Sequence, residues 1–343
     1  MQMHVMEVKA NSPFKSPMEF EEIMQNAVST LNQIVQKHGA KLLGTGMHPL
    51  LTLKDTVIWS HYHRKIYQEY AKIFNLNQHG WLNIQSFHLN LPFLKEADGI
   101  YMHNLLANLC TYLPAITASS PIYEGEKGPD IDNRLQFYKV NQKEVPSVTG
   151  DVIPEYASSF GQYKRDVIDR YSKDLAIAGA DKTLLSKEWV NSRGVIFRFD
   201  RSAIEVRVMD EQECVKSDVA LSCFVRATLR GLIAMKTDLL PHDLLVKDFN
   251  NVVREGLNAH VLNPNGKTAK QVCQHYFDLA VNFADDDEKK YLWVIKKRLD
   301  KGNLSDLIRD RVLKRAEKTD LLEAIINIYS TLINCLSDNE PYF

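Results

Sequence analysis

Apolar and polar positions along this chain follow two periods. Up to about position 210, short runs with period-two alternation mix with stretches of helical spacing. Beyond that point the spacing is almost entirely helical, with no internal repeat. The first helix is marked by Ser16 as N-cap, Pro17 at the first helical position and Glu19 completing a capping box. Phe20, Ile23, Met24, Ala27, Leu31 and Ile34 continue it at helical spacing, and Gly39 ends it. A strand is expected over 40–44, running into the turn-rich Gly44-Thr45-Gly46-Met47-His48-Pro49. Helices are expected over 61–74 and 97–113, with a loop rich in Gly, Pro and Asp over 125–133. Later helices are expected over 216–240, 245–258, 268–284, 288–301, 304–316 and 318–335, with ordinary packing faces.

Three period-two runs carry chemistry on one side. In His4-Val5-Met6-Glu7-Val8-Lys9, Met6 and Val8 share a face and Glu7 takes the other. In Ser86-Phe87-His88-Leu89-Asn90-Leu91, Phe87, Leu89 and Leu91 oppose Ser86, His88 and Asn90. In Ile204-Glu205-Val206-Arg207-Val208, the β-branched residues oppose Glu205 and Arg207. The spacing predicts that Glu7, His88 and Glu205 lie on one face of one sheet. Carboxylates suit Mg²⁺, imidazole suits Mn²⁺ or a softer metal equally well, and an Arg two residues from a Glu points the same way and can clamp a phosphoryl oxygen. The same alternation also describes a half-exposed antiparallel strand, and a lone His88 also fits a hydrogen-bonded structural role. His61 and His63 form an H-x-H pair, but in a helical context they do not face each other and read as surface residues.

Composition narrows the classes. The 343 residues are 45% hydrophobic and 25% charged, which is globular usage. Lys and Arg total 42 against 43 Asp and Glu, a net charge of -1, so neither a nucleic-acid binder nor a membrane-surface protein is expected. The five cysteines, Cys110, Cys214, Cys223, Cys273 and Cys335, form no C-x-x-C pair and suit a reducing cytoplasm. The opening residues carry no signal-like apolar run, and no stretch is long and apolar enough to span a bilayer, so a cytoplasmic location is expected. Neither a Walker A motif nor G-x-G-x-x-G is present.

Taken in order, the motifs resemble the glutamate–cysteine ligase and carboxylate–amine ligase families, which share a glutamine-synthetase-like catalytic sheet. Met6-Glu7-Val8-Lys9-Ala10-Asn11-Ser12-Pro13 resembles a strand ending in Glu-x-x-T/N-x-P. Leu43-Gly44-Thr45-Gly46-Met47-His48-Pro49 resembles the family's GxGxHP strand end, and Phe87-His88-Leu89-Asn90-Leu91 its H-x-H/N strand. Thr117-Ala118-Ser119-Ser120-Pro121 resembles SASSP, with Asn133-Arg134 following where the family has an Arg. Arg201-Ser202-Ala203-Ile204-Glu205-Val206-Arg207, followed by Asp210, resembles the closing E-x-R strand.

The resemblance implies an α+β fold: an antiparallel sheet with a polar concave face, helices behind it, a catalytic part over 1–240 and a helical portion over 241–343. It implies an ATP- and Mg²⁺- or Mn²⁺-dependent ligase that phosphorylates a carboxylate, in the family the γ-carboxylate of glutamate, and lets an amine attack the acyl phosphate. By motif position Glu7, His88 and Glu205 are the expected metal ligands. Arg207 and Arg134 are the catalytic and nucleotide-binding cations, joined by Arg201. Ser119, Ser120, Asn90 and His48 lie by the substrate. Partners are small-molecule substrates, and a homo-oligomer stays open. The family's opening G-x-E-x-E strand would fall before Met1. A relative that binds nucleotide or amino acid without ligation, a subunit beside an intact partner, or an interaction scaffold therefore remain alternatives.

Overall fold

The computed structural model describes residues 2–62, 64–185 and 187–343. It is an α+β protein in which a small antiparallel sheet is backed by helices. The strands are β1 (Ser86–Pro92), the two-residue pair β2 (Ile122–Tyr123) and β3 (Glu126–Lys127), β4 (Val195–Arg198) and β5 (Ala203–Asp210). The main sheet has the order β1-β5-β4, with both neighbours antiparallel to β5.

The first helix forms over Pro17–Gln36 with Ser16 as its N-cap, the Glu19 backbone N–H donating to Ser16 Oγ at 3.4 Å, without the reciprocal Glu19 side-chain bond of the expected capping box. Helices Arg64–Ile73 and Glu96–Cys110 fall close to the expected spans. The later helices are Val215–Ala234, His242–Glu255, Ala269–Phe283, Leu292–Lys301, Leu304–Ala316 and Leu321–Asp338. Capping boxes at Thr268 with Gln271, and at Asn303 with Asp306, fix two of these starts.

Two expected strands are absent. Residues 40–44 are irregular; the Leu42 N–H is satisfied by the Asn32 side chain rather than by a ladder. Met3 and His4 form a turn and residues 5–9 take no regular structure, and the nearby sheet-like contact is a single bridge between Gln2 and Ile58. The place beside β5 is taken by β4, whose four residues are all buried. A strand buried on both faces reads as a continuous apolar run, so Val195-Ile196-Phe197 carries no alternation to announce it.

The apolar side of the sheet sets the core. Ile204, Val206, Val195 and Phe197 join Leu105, Leu106 and Leu109 of Glu96–Cys110, and Leu221, Phe224 and Val225 of Val215–Ala234, in one buried cluster. Phe249 and Val252 of His242–Glu255 belong to the same cluster, so helices beyond residue 240 share this core. A second cluster lies between Leu304–Ala316 and Leu321–Asp338, with Leu307, Ile308, Ile325 and Leu332. No helix among the described residues is long and apolar enough to cross a membrane.

Candidate active site

The polar face of the sheet is built by register. Asn90 pairs with Glu205 and Ser86 with Asp210. Between Phe87↔Met209 and Leu89↔Val206, His88 alone opposes both Arg207 and Val208, which is a β-bulge. The extra residue shifts the parity of β5. Strict alternation from Glu205 would turn Asp210 to the apolar face; the bulge brings it to the Ser86–His88–Asn90 side.

Glu205 is buried and surrounded by cations. Arg198 Nη1 donates to its Oε2 at 2.7 Å, Arg207 Nε lies 3.3 Å from Oε1, and His88 Nδ1 lies 3.7 Å from the same oxygen. Burial works against its charge, but Arg207, His88 and Arg198 outweigh it, and an Asn90 hydrogen bond adds to them, holding the carboxyl below the ordinary range. His88 keeps 35% of its side-chain surface open, yet desolvation by its crowded neighbours, then Arg207, push the imidazole down, so it is neutral at pH 7. Its Nε2 meets Ser86 Oγ at 2.8 Å.

Arg207 Nη1 donates to the carbonyl of Asn191 at 2.5 Å and of Trp189 at 3.3 Å. Its Nη2 makes no hydrogen bond to a described residue. Arg134 is fully buried on the short helix Asn133–Tyr138. It pairs with Asp210 through Nε and donates from Nη2 to the Val208 carbonyl at 2.7 Å, while Nη1 makes no hydrogen bond to a described residue. Asp132 caps this helix by accepting from the Leu135 N–H at 2.8 Å. Burial and the adjacent Asp210 push Asp132 well above the carboxylate range, against the pull of Arg134.

The structure thus brings His88, Asn90, Glu205, Arg207 and Arg134 to one face, as their motifs predict. It corrects four expectations. Glu7 is exposed on the unpaired N-terminal segment, near Tyr67 rather than beside His88 and Glu205, because the strand that would have carried it does not form. Arg201 sits on the exposed turn Phe199–Arg201 and pairs with Asp200 at 3.4 Å; the closing strand starts only at Ala203. Ser119 and Ser120 are fully buried and bonded within the protein. The Ser119 hydroxyl accepts from the Gly46 N–H at 2.7 Å and donates to the Glu211 carbonyl at 2.7 Å, while its backbone N–H donates to Asp210 at 2.8 Å. The Ser120 hydroxyl accepts from the Arg134 N–H at 3.1 Å. These serines are bonded to Asp210 and Arg134 within the protein. His48 is exposed, and its Nδ1 accepts from the Leu50 and Leu51 N–H groups at 3.2 and 3.1 Å, closing the turn after the Gly44–Pro49 loop. His61 is exposed, and His63 lies outside the described residues.

One residue of the face, Arg198, carries no sequence signal. Arg198 reaches Glu205 because β4 and β5 form a hairpin through a turn ending at Ser202, whose φ is 49°. No Asn-Gly or Asp-Gly turn marks that hairpin in the sequence.

A divalent cation does not fit the protein donors as they stand. No group of three His, Cys, Asp or Glu side chains with metal-binding geometry occurs among the described residues. Of the expected ligands, His88 and Glu205 lie together, and both Glu205 oxygens already face guanidinium groups. The face instead presents guanidinium N–H groups of Arg207 and Arg134 that have no acceptor among the described residues.

Comparison with known proteins agrees with the motifs. The chain matches the glutamate-cysteine ligase family 2 over residues 1–327. An "Uncharacterized protein" of Archaeoglobus fulgidus is 43% identical over 342 residues, covering 100% of this chain and 87% of the relative. "Putative glutamate--cysteine ligase 2" of Bdellovibrio bacteriovorus is 24% identical over 312 residues, covering 87% of this chain and 75% of that protein. With nearly its whole length matched, the chain belongs to glutamate-cysteine ligase family 2.

Proposed function

We propose that this protein is an ATP-dependent carboxylate–amine ligase of the glutamate–cysteine ligase kind. The observation that carries the reading is that Arg207 and Arg134 both lie near His88, each held by a carboxylate and each keeping guanidinium N–H groups without an acceptor among the described residues.

In such a reaction the carboxylate oxygen of one substrate attacks the γ-phosphorus of ATP, and ADP leaves. The amine then attacks the acyl carbon, inorganic phosphate leaves with the C–O bond pair, and the ammonium proton is lost as the amide forms. Phosphoryl transfer needs positioning and charge neutralisation more than covalent help. Glu205 and the carbonyls of Trp189 and Asn191 fix Arg207, and Asp210 with the Val208 carbonyl fixes Arg134. Preorganised donors of this kind stabilise developing charge at no cost of reorganisation. Arg198 is balanced by Glu188, Asp200 and Glu205 and serves to orient Glu205. Mg²⁺ or Mn²⁺, which the family resemblance implies, would come on the nucleotide's phosphates, since Mg²⁺ keeps waters and substrate oxygens as most of its ligands.

A second reading is favoured by the occupation of Glu205 by Arg198 and Arg207: a relative that binds nucleotide or amino acid without ligation. The experiment that separates them is an ADP-release screen with glutamate and a panel of amines, with Mg²⁺ and with Mn²⁺. Amine-dependent ADP release is expected. Tight ATP binding with no ADP release under either metal would leave the binding reading in its place.

A further inference from the structure

The carbonyl of Asn191 that receives Arg207 belongs to a residue whose own side chain is bonded at both ends. Asn191 is 2% exposed. Its Nδ2 donates to the Tyr163 hydroxyl at 2.8 Å, and its Oδ1 accepts from the Arg193 N–H and from Arg193 Nη1, both at 3.3 Å. Arg193, also buried, is locked in turn. Its Nε and Nη2 donate to the two Glu155 oxygens at 2.6 and 2.9 Å, and Nη1 donates to the Ser147 carbonyl at 3.1 Å. The peptide plane between Asn191 and Ser192 is held from its far side, because the Ser192 N–H donates to the Val148 carbonyl at 2.9 Å. In a planar trans peptide the C=O points away from the N–H, so this bond helps to aim the Asn191 carbonyl at Arg207. The Arg207 backbone N–H is bonded to the same segment, at the Gly194 carbonyl, 2.8 Å away. Tyr163 ends the short helix Phe160–Tyr163, where the chain widens into a π-helical turn over Lys164–Asp169. Such turns are rare, and they are frequent at functional sites.

We propose that Asn191, held by Tyr163 and Arg193, is a positioning residue for the ligation: it fixes the carbonyl that orients Arg207, so that the uncommitted Nη2 meets the transferred phosphoryl group in one geometry. The inference rests on the ligase reading and deepens it, by naming residues that act through Arg207. A guanidinium held by Glu205 alone would be free to pivot about that carboxylate; the carbonyls of Asn191 and Trp189 remove this freedom. A misplacement of about 1 Å costs up to about 10²-fold in rate.

Tyr163→Phe removes one hydroxyl and releases the Asn191 amide, whereas Asn191→Ala removes the amide itself. Each should lower kcat about tenfold or more while KM for MgATP stays within about twofold, because a transition-state interaction is weakened and nucleotide binding is not. In an Arg207→Ala background neither should lower kcat further, since both act through that side chain. Tyr112→Phe is the control. Its hydroxyl, also buried, donates to Asp248 at 2.6 Å in the helical core, and its loss should lower the melting temperature without changing kcat. Should Asn191→Ala fail to fold, Tyr163→Phe decides the question alone. Folded variants with wild-type kcat overturn the inference. So do losses that multiply with that of Arg207→Ala, or that Tyr112→Phe reproduces; each of these outcomes leaves the ligase reading standing. Wild-type protein that releases no ADP with any amine of the screen overturns both.

Discussion

Asp210 faces Ser86 across the sheet only because one residue, His88, opposes two, Arg207 and Val208. That bulge places a fully buried carboxylate where it meets the buried Arg134. It therefore joins the helix Asn133–Tyr138 to β5, and through Ser119 it also ties the Gly44–Pro49 loop to the same point. The ion pair, the loop and the helix that carries Arg134 form one connected unit.

Breaking that unit should be expensive. Removing one partner of a buried ion pair strands the other charge, at about 3–5 kcal/mol. Asp210→Ala and Arg134→Ala should each destabilise by that order in urea unfolding at pH 7. The double variant should cost less than the sum, because each single change already loses the shared interaction. Additive losses would mean that the two side chains do not depend on each other.

Gly46 tests the same unit from the loop side. A Cβ at this position would collide with the Asp210 carboxylate and lie 3.0 Å from its Cβ, and both neighbours are buried. Gly46→Ala should therefore push Asp210 off Arg134 and cost about 1–3 kcal/mol, as overpacking does. At Gly161 the nearest atom to an added Cβ is 3.8 Å away, so Gly161→Ala should fold with wild-type stability or slightly better. Thermal melts of the two variants side by side decide it.

Glu211, next to Asp210, sets a pH dependence. Burial and then the Asp210 charge push its carboxyl up to about 7. In the unfolded chain it titrates near about 4.3. Between those values the folded protein holds a proton that the unfolded chain has released, so this group lowers stability as pH rises through the window and keeps it lowered above. Glu211→Gln should be more stable than wild type at pH 8 and nearly equal to it at pH 4. Urea midpoints at the two pH values measure the difference; a gain of the same size at both would exclude the titration.

How much of this was legible depends on what each strand buries. β1 and β5 show clean alternation because one face meets the core and the other the polar site, so His88, Asn90, Glu205 and Arg207 could be read as one group. β4 is buried throughout and loses the alternation, which hid Arg198. Met6-Glu7-Val8 alternates just as well, yet period two records only an extended backbone, and pairing has to be supplied by a partner strand. The bulge leaves no mark in composition, so Asp210 counted only as a residue following the motif. Ser119 and Ser120 have hydroxyls fit for a ligand, but burial commits them to Asp210, Gly46 and Arg134. Sequence spacing cannot say which polar groups the fold consumes.

Arg207 and Arg201 offer the sharpest test of the chemistry, because the motif included both and the structure separates them. Arg207 is 13% exposed, anchored by Glu205 and two carbonyls, with Nη2 left over; Arg201 is 46% exposed on a turn beside Asp200. If Arg207 stabilises charge developing on the transferred phosphoryl group, its loss should lower kcat more than it weakens ATP binding. Removal of one such preorganised donor costs about 10²–10³ in turnover. Arg207→Lys should recover only part of this, since an ammonium cannot hold Glu205, the Asn191 carbonyl and a phosphoryl oxygen with one planar fork. Arg201→Ala should leave both kcat and stability nearly unchanged, within about 0.5 kcal/mol for stability. The comparison is made by steady-state kinetics on the substrate pair found in the ADP-release screen, with unfolding curves to show that each variant is folded. Equal and small effects of the two substitutions would remove Arg207 from the chemistry and leave it as a structural link between Glu205 and the 189–191 segment.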